Sequence, residues 1–234
     1  NLLDKEGAAA LIWATIKGQS NVALEILKDP NVDINLQDKN NHTALIIASQ
    51  NSQLTAASKI LERDDVNVNL QDYRGLTVLM AASLRGQKGL ASEILGKTNI
   101  DVNIQNKNDD TALMYAIENG HQQIAFEILN NKDVKVNLQN KSGVTALIYA
   151  IHFKQEALTL KILGRDDVNV NLQNENGDTA LILASQKSQV NIVFKILEKE
   201  NVNINQQNAK GHTALMVSIL KNKTDIALKI LERA

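Results

Sequence analysis

Residues 69–83 read NLQDYRGLTVLMAAS, and a near-copy, NLQDKNNHTALIIAS, stands 34 residues earlier at 35–49. The phrase returns as NIQNKNDDTALMYAI from Asn103, NLQNKSGVTALIYAI from Asn137, NLQNENGDTALILAS from Asn171 and NQQNAKGHTALMVSI from Asn205. A weaker copy, NLLDKEGAAALIWAT, opens the chain at Asn1. The period never slips, so the 234 residues divide into seven units at 1–34, 35–68, 69–102, 103–136, 137–170, 171–204 and 205–234, the last cut short. Together they are expected to make one domain. A fixed period of this length marks an array of small structural repeats.

Within the third unit, Asp72, Tyr73, Arg74 and Gly75 form a turn signal, because Asp favours the first position of a type I turn and Gly the fourth. Just before it, Val66, Val68 and Leu70 alternate with Asn67, Asn69 and Gln71, the period-two pattern of a short extended segment. A β-turn or small hairpin is therefore expected to lead each unit. Thr77 follows, with Thr43, Thr111, Thr145, Thr179 and Thr213 in the same place. Its hydroxyl reads as a helix N-cap, accepting from a free backbone N–H at the helix start. The segment after it, such as residues 44–50, is apolar almost all round, which fits a short helix pressed between neighbours. Ala48, Ala82, Ala116, Ala150 and Ala184 recur within it, with Ser218 in that slot in the last unit, small enough to let backbones approach.

A second helix follows, as at residues 123–129, with Ile124, Ala125, Ile128 and Leu129 on one stripe. Its marker is an Ile-Leu pair, found seven times: Ile26-Leu27, Ile60-Leu61, Ile94-Leu95, Ile128-Leu129, Ile162-Leu163, Ile196-Leu197 and Ile230-Leu231. Helices below about 12 residues are marginal alone in water, and units below about 40 residues rarely fold unaided. Stacking has to supply the core, which predicts a solenoid whose units touch their neighbours.

The order of turn, T-x-L, short helix, second helix and V-N resembles the ankyrin repeat, whose familiar form runs D-x-x-G-x-T-P-L-H-x-A-A and closes on V-N. The resemblance covers all 234 residues. It implies an all-α fold, an ankyrin-repeat solenoid of stacked helix-turn-helix units with β-turn or hairpin loops. Two features depart from the family. The P-L-H step stands here as A-L-I or A-L-M (Ala44-Leu45-Ile46, Ala112-Leu113-Met114), and Ala is a good helix former, so the fold is expected to survive with its loops held differently. The period is one residue longer than the family's usual length of about 33, the extra residue falling between the two helices or in the turn. The T-A-L-I form is similar to arrays common in microbial proteins.

Composition narrows the function. Only 3% of residues are aromatic, so the core must be built from the aliphatic side chains that make most of the 44% hydrophobic content. The formal net charge is −1 with no long run of like charges, which disfavours nucleic acid and anionic membranes as partners. No apolar stretch approaches the roughly 18 residues of a membrane span, and the first residues lack the pattern of a signal peptide. Cysteine is absent, which excludes disulfides and thiolate chemistry. Because the chain starts with Asn and not Met, targeting cannot be read, and the cytoplasm is only the working expectation.

No catalytic set is legible. His42, His121, His152 and His212 include no i, i+4 pair, and His42 and His212, five units apart, would lie roughly 50 Å from each other in layers of helix diameter. No Ser-His-Asp or G-x-S-x-G arrangement is present. No enzyme, metal or cofactor is expected. Asp64-Asp65 and Asp166-Asp167 read as polar loop residues, and the many Asn residues as turn formers.

The resemblance implies a protein-binding scaffold, a monomer in the shape of a curved rod roughly 70 Å long, contacted at its turn tips and the inner face of its first helices. Positions that vary between units there are free for recognition. Before each Thr or its equivalent the series runs Ala8, His42, Leu76, Asp110, Val144, Asp178 and His212. At the end of the first helix the pairs are Ile16-Lys17, Gln50-Asn51, Leu84-Arg85, Glu118-Asn119, His152-Phe153, Gln186-Lys187 and Leu220-Lys221. Tyr73, Leu76, Leu84 and Arg85 form one expected anchor and Val144, His152 and Phe153 another, with Asp110 and Glu118 between them in sequence. The alternative is a docking region for an enzyme or effector whose catalytic domain lies elsewhere. Trp13 and the run Ala8-Ala9-Ala10 are apolar for a terminal repeat, and something upstream is expected to cover them.

Overall fold

A computed structural model describes residues 3–4 and 9–233, so Ala8 lies outside the described residues. Among the latter there are fourteen helices and no strand, arranged as seven pairs. Contacts gather the chain into two compact units, Asn1–Val134 and Lys135–Ala234, a division two residues ahead of the sequence boundary between the fourth and fifth repeats. The first unit holds α1 (Ala10–Ile16), α2 (Ser20–Ile26), α3 (Ala44–Gln50), α4 (Leu54–Leu61), α5 (Val78–Arg85), α6 (Lys88–Leu95), α7 (Ala112–Glu118) and α8 (Gln122–Asn130). The second holds α9 (Ala146–His152), α10 (Glu156–Leu163), α11 (Ala180–Gln186), α12 (Val190–Leu197), α13 (Ala214–Leu220) and α14 (Thr224–Arg233).

Within the first unit, α1, α3, α5 and α7 pack in sequence, and so do α2, α4, α6 and α8. The second unit repeats the scheme with α9, α11 and α13 beside α10, α12 and α14. Ile60, Ile94, Ile128, Ile162, Ile196 and Ile230 are buried where the marker pairs lie, along with Leu61, Leu129, Leu163 and Leu197. Ala48, Ala82, Ala116, Ala150, Ala184 and Ser218 are fully buried at the close approach between helices.

The Thr caps form as expected. The hydroxyl Oγ1 of Thr43, Thr77, Thr111, Thr145, Thr179 and Thr213 accepts from the backbone N–H three residues on, at 3.1–3.3 Å. The first helix of the array is the exception, with Ala9 at its N-cap and no side-chain bond. Thr145→Ala should cost about 1 kcal/mol of stability, read as a lower urea midpoint with an unchanged slope.

Turns precede the caps. In each, the fourth residue donates to the first (Gly75 N–H to the Asp72 carbonyl, 2.8 Å), and the Asp72 N–H closes the hairpin on the Leu76 carbonyl at 3.0 Å. Asp and Asn interchange at the first position because both use one side-chain oxygen to accept two backbone N–H groups. Asp72 Oδ1 takes those of Arg74 and Leu76, and Asn140 Oδ1 those of Ser142 and Val144. Among the described turns the fourth position is always left-handed, with Asn41 at φ 58°, Asp109 at 62° and Gly in the other four, which explains why only Gly, Asn and Asp occur there. The extended segment expected at residues 66–71 is instead a turn at 68–69, held by the Asn69 N–H donating to Asn67 Oδ1 at 3.0 Å. Val66 and Val68 face the core all the same.

The asparagines and glutamines do more than shape turns. Asn69 donates from Nδ2 to the Asn99 carbonyl of the next repeat (2.6 Å) and accepts on Oδ1 from the Asp101 N–H (2.9 Å). Asn35, Asn137 and Asn171 make the same two-way link. Gln71 donates from Nε2 both to its own Gly75 carbonyl (2.7 Å) and to the Gln105 carbonyl of the next turn (3.0 Å), and Gln37, Gln139 and Gln173 repeat the pattern. Backbone bonds join the tips as well, Tyr73 N–H to the Asn40 carbonyl and Lys107 N–H to the Arg74 carbonyl, both 2.9 Å.

Candidate functional site

The turn tips and the ends of the first helices carry the residues singled out by their variation. In the first unit Tyr73, at the second position of its turn, is exposed and held on two sides. The Arg74 guanidinium lies 5.5 Å over its ring and donates to Asp72 Oδ2 at 3.0 Å, while His42 of the preceding repeat meets it edge-on at 5.7 Å. His42 is itself fixed by Asp38, with Nδ1 3.2 Å from Oδ2. Leu84 and Arg85, at the end of α5, are exposed.

Leu76 departs from expectation. Its slot predicts a surface anchor, yet Leu76 is only 5% exposed. Its N–H is tied to Asp72 Oδ1, as at this slot in the other turns, and its apolar side chain lines a hollow of about 180 Å³ with Gln50, Arg74, Ala81, Leu84 and Arg85. It therefore supports Leu84 and Arg85 and presents little surface of its own.

Asp110 is half-buried and Glu118, the last residue of α7, is at the surface. Partial burial, with the charge of Asp110 adding to it, raises the Glu118 pKa above the ordinary carboxylate value. Tyr115, whose hydroxyl accepts from Asn106 Nδ2 at 2.8 Å, is raised by burial first and by the same two carboxylates after it. A raised carboxylate pKa means that the folded state disfavours the charged form. The penalty is absent below the unfolded value and complete once pH passes the folded one. Glu118→Gln should therefore stabilise the chain at neutral pH and lose that advantage in acid, as measured by denaturant midpoints across pH.

In the second unit Val144 is half-buried before its Thr. His152 and Phe153 are exposed at the end of α9. Phe153 stacks on Tyr149 at 6.0 Å with 10° between rings and takes His152 edge-on at 5.0 Å. Burial, then the charge of Lys187, lowers the His152 pKa, so the neutral imidazole is favoured. Sequence reasoning passed over a larger feature of this unit, a hollow of about 620 Å³ lined by Asp178, Lys187, Lys210, His212, Leu220 and Lys221 among others. The signal is the same variation between units, which puts Lys187, Lys210 and Lys221 at turn-tip and helix-end positions. Asp178 is satisfied internally, accepting on Oδ1 from Gln186 Nε2 (3.0 Å) and Asn208 Nδ2 (2.8 Å), which leaves the three lysines as the charged lining.

Among the described residues, no cluster of three or more His, Asp or Glu side chains has the arrangement of a metal site, and no helix is long and apolar enough to cross a membrane.

Comparison with known proteins agrees with this architecture. The family model described as ankyrin repeats in three copies matches residues 1–72, 79–170 and 154–234. No curated protein sequence matches at a significant level. Among solved structures, the ankyrin repeat domain of Bcl-3, a member of the IkappaB protein family, is similar with a TM-score of 0.75 at 19% identity, covering 97% of this chain and 100% of that one. A chain from the complex of the predatory endopeptidase Bd0816 of Bdellovibrio bacteriovorus with immunity protein Bd3460 is similar with a TM-score of 0.65 at 24% identity, covering 81% of this chain and 97% of its own. Seven helix pairs, six of them capped by Thr, together with a family match over nearly the whole sequence place the chain in the ankyrin-repeat family.

Proposed function

We propose that the chain is a non-catalytic interaction module that holds a protein partner against its turn tips and the ends of its first helices. One observation carries the reading. The positions that repeat between units are consumed by packing, capping and inter-repeat bonds, whereas the varying ones leave Tyr73, Leu84 and Phe153 exposed at those edges. Large aromatic and apolar side chains beside charged ones are the usual energetic centres of interfaces. In the first unit Tyr73, Leu84 and Arg85 are the anchors, with Asp110 and Glu118 as the acidic flank. In the second they are Val144, His152 and Phe153. Ankyrin repeats generally serve as protein-binding modules, and one of the similar structures is a complex of two proteins. Substituting Tyr73, Leu84 and Phe153 together by Ala should leave the helical circular dichroism intact and weaken a captured partner by about tenfold or more. Affinity capture from a lysate, with the triple variant as control, supplies the partner for that titration. Equal capture by both proteins would remove this surface from consideration.

A further inference from the structure

The hollow between the sixth and seventh repeats has a smaller counterpart inside the array. Its Lys187, Lys210, His212 and Lys221 stand at the positions that Asn51, Arg74, Leu76 and Arg85 hold around the hollow between the second and third repeats. The cleft is thus a product of two adjacent repeats, walled by turn tips and first-helix ends.

What differs is the fate of the cations. Arg74 is neutralised by the residue that opens its own turn, donating to Asp72 Oδ2 at 3.0 Å. In the seventh repeat Asn208 opens the turn. Its Oδ1 still accepts from the Lys210 and His212 N–H groups, both at 3.0 Å, so the turn keeps its shape, but the side chain offers no charge to the Lys210 ammonium. Lys187 and Lys221 stand directly after α11 and α13. None of the three lysines forms an ion pair among the described residues, whereas Lys28, Lys59, Lys195 and Lys229 each close one with a Glu three residues away. The one carboxylate in the wall, Asp178, is buried and holds Gln186 and Asn208 on Oδ1, so a single negative charge stands against three positive ones. The field reaches along the row of helix ends, where the Lys187 charge adds to burial in lowering the His152 pKa.

Unpaired ammonium groups around a concavity focus a positive potential on whatever enters it. Nucleic acid fits that description less well than protein carboxylates do. No Phe, Tyr or Trp lines the hollow for a base to stack on, and Asp178 would repel a continuous phosphate backbone.

We propose that the hollow between the sixth and seventh repeats binds an acidic segment of a protein partner, whose Asp or Glu carboxylates pair with Lys187, Lys210 and Lys221. On the reading of the chain as a protein-binding module, on which this assignment rests, that segment lies beside the His152 and Phe153 anchor.

Fluorescence anisotropy with a labelled oligoglutamate peptide tests this without the partner. The unmodified chain should bind the peptide at low ionic strength and lose affinity as salt rises toward ~0.15 M. Lys187→Gln, Lys210→Gln and Lys221→Gln together should weaken binding about tenfold. Lys88→Gln, Lys132→Gln and Lys161→Gln remove the same charge from exposed positions outside the hollow and should leave affinity within about twofold. Circular dichroism verifies that both variants fold. Equal weakening by the two sets overturns the proposal, because net charge alone would then explain the binding. So does an unmodified chain that fails to bind the peptide at low salt, or one that prefers an oligouridylate of equal length. The peptide has no apolar side chain to engage Tyr73, Leu84 or Phe153, so these outcomes leave the wider reading to the triple-Ala variant.

Discussion

Ile94→Ala should lower the stability of the chain by about 2–5 kcal/mol, the range for truncating a buried Ile to Ala. Ile94 is fully buried on α6, which packs between α4 and α8. Neighbouring helices cannot collapse freely into the space left behind, because inter-repeat bonds such as Asn69 to the Asn99 carbonyl and Gln71 to the Gln105 carbonyl fix their spacing. The cost should fall toward the upper part of the range where the site cannot relax. Ile219→Ala supplies the control. It removes the same atoms from a residue 60% exposed, so it should change stability by no more than about 0.5 kcal/mol. Urea unfolding of both variants measures the contrast. Equal losses would mean that burial in the layers is not what makes the marker residues matter.

The second large effect belongs to a turn. Gly75 sits at φ +80°, and a Cβ placed there would lie 2.8 Å from the Lys107 nitrogen and 2.9 Å from Asn106 Cα. Both contacts are to backbone of the next repeat, which is pinned by the Lys107 N–H bond to the Arg74 carbonyl at 2.9 Å. Gly211 occupies the same place in the last repeat at φ +74° with nothing within 4 Å of its would-be Cβ. Gly211→Ala should therefore cost only the left-handed conformation, about 1–2 kcal/mol. Gly75→Ala should add about 1–3 kcal/mol for forcing the two tips apart. The difference between the two variants isolates tip stacking from backbone strain. A difference near zero would show that the tips are not in close register.

The parts of this molecule that were legible from its sequence are those with a local physical cause. A Thr before an apolar stretch has one good reason to recur, and each of the six Thr residues caps its helix. The Ile-Leu pair and the small Ala slot follow from helical periodicity and close approach, and both are buried in the layers save for Ile26 and Leu95, which are half-buried, and Leu231, which is exposed. What escaped was information held by the neighbouring repeat. Asn69 and Gln71 have the composition of turn residues, and nothing local distinguishes a side chain that shapes its own loop from one that reaches 30 or 34 residues ahead.

Leu76 illustrates the same limit. Its slot is held elsewhere by His42, Asp110 and Asp178, which suggests a solvent position, yet the apolar side chain folds into the hollow beside α5 whereas Asp110 remains half-buried. One slot supports both outcomes because the side chain, not the backbone, decides which way it turns. The outermost repeats were half legible. Trp13 and the missing Thr set the first repeat apart in the sequence, whereas the last repeat reads as ordinary, and only the structure shows Ile219 and Leu231 exposed.

Stability shared between adjacent layers is the claim on which the other inferences rest, and double-mutant cycles on Ile60, Ile94 and Ile128 test it most directly. Substitution by Ala at Ile60 and Ile94, in neighbouring repeats, should show a coupling of about 0.5–3 kcal/mol, while Ile60 and Ile128, separated by a whole repeat, should add within about 0.5 kcal/mol. Additivity at the adjacent pair together with strong coupling at the separated one would contradict the layered arrangement.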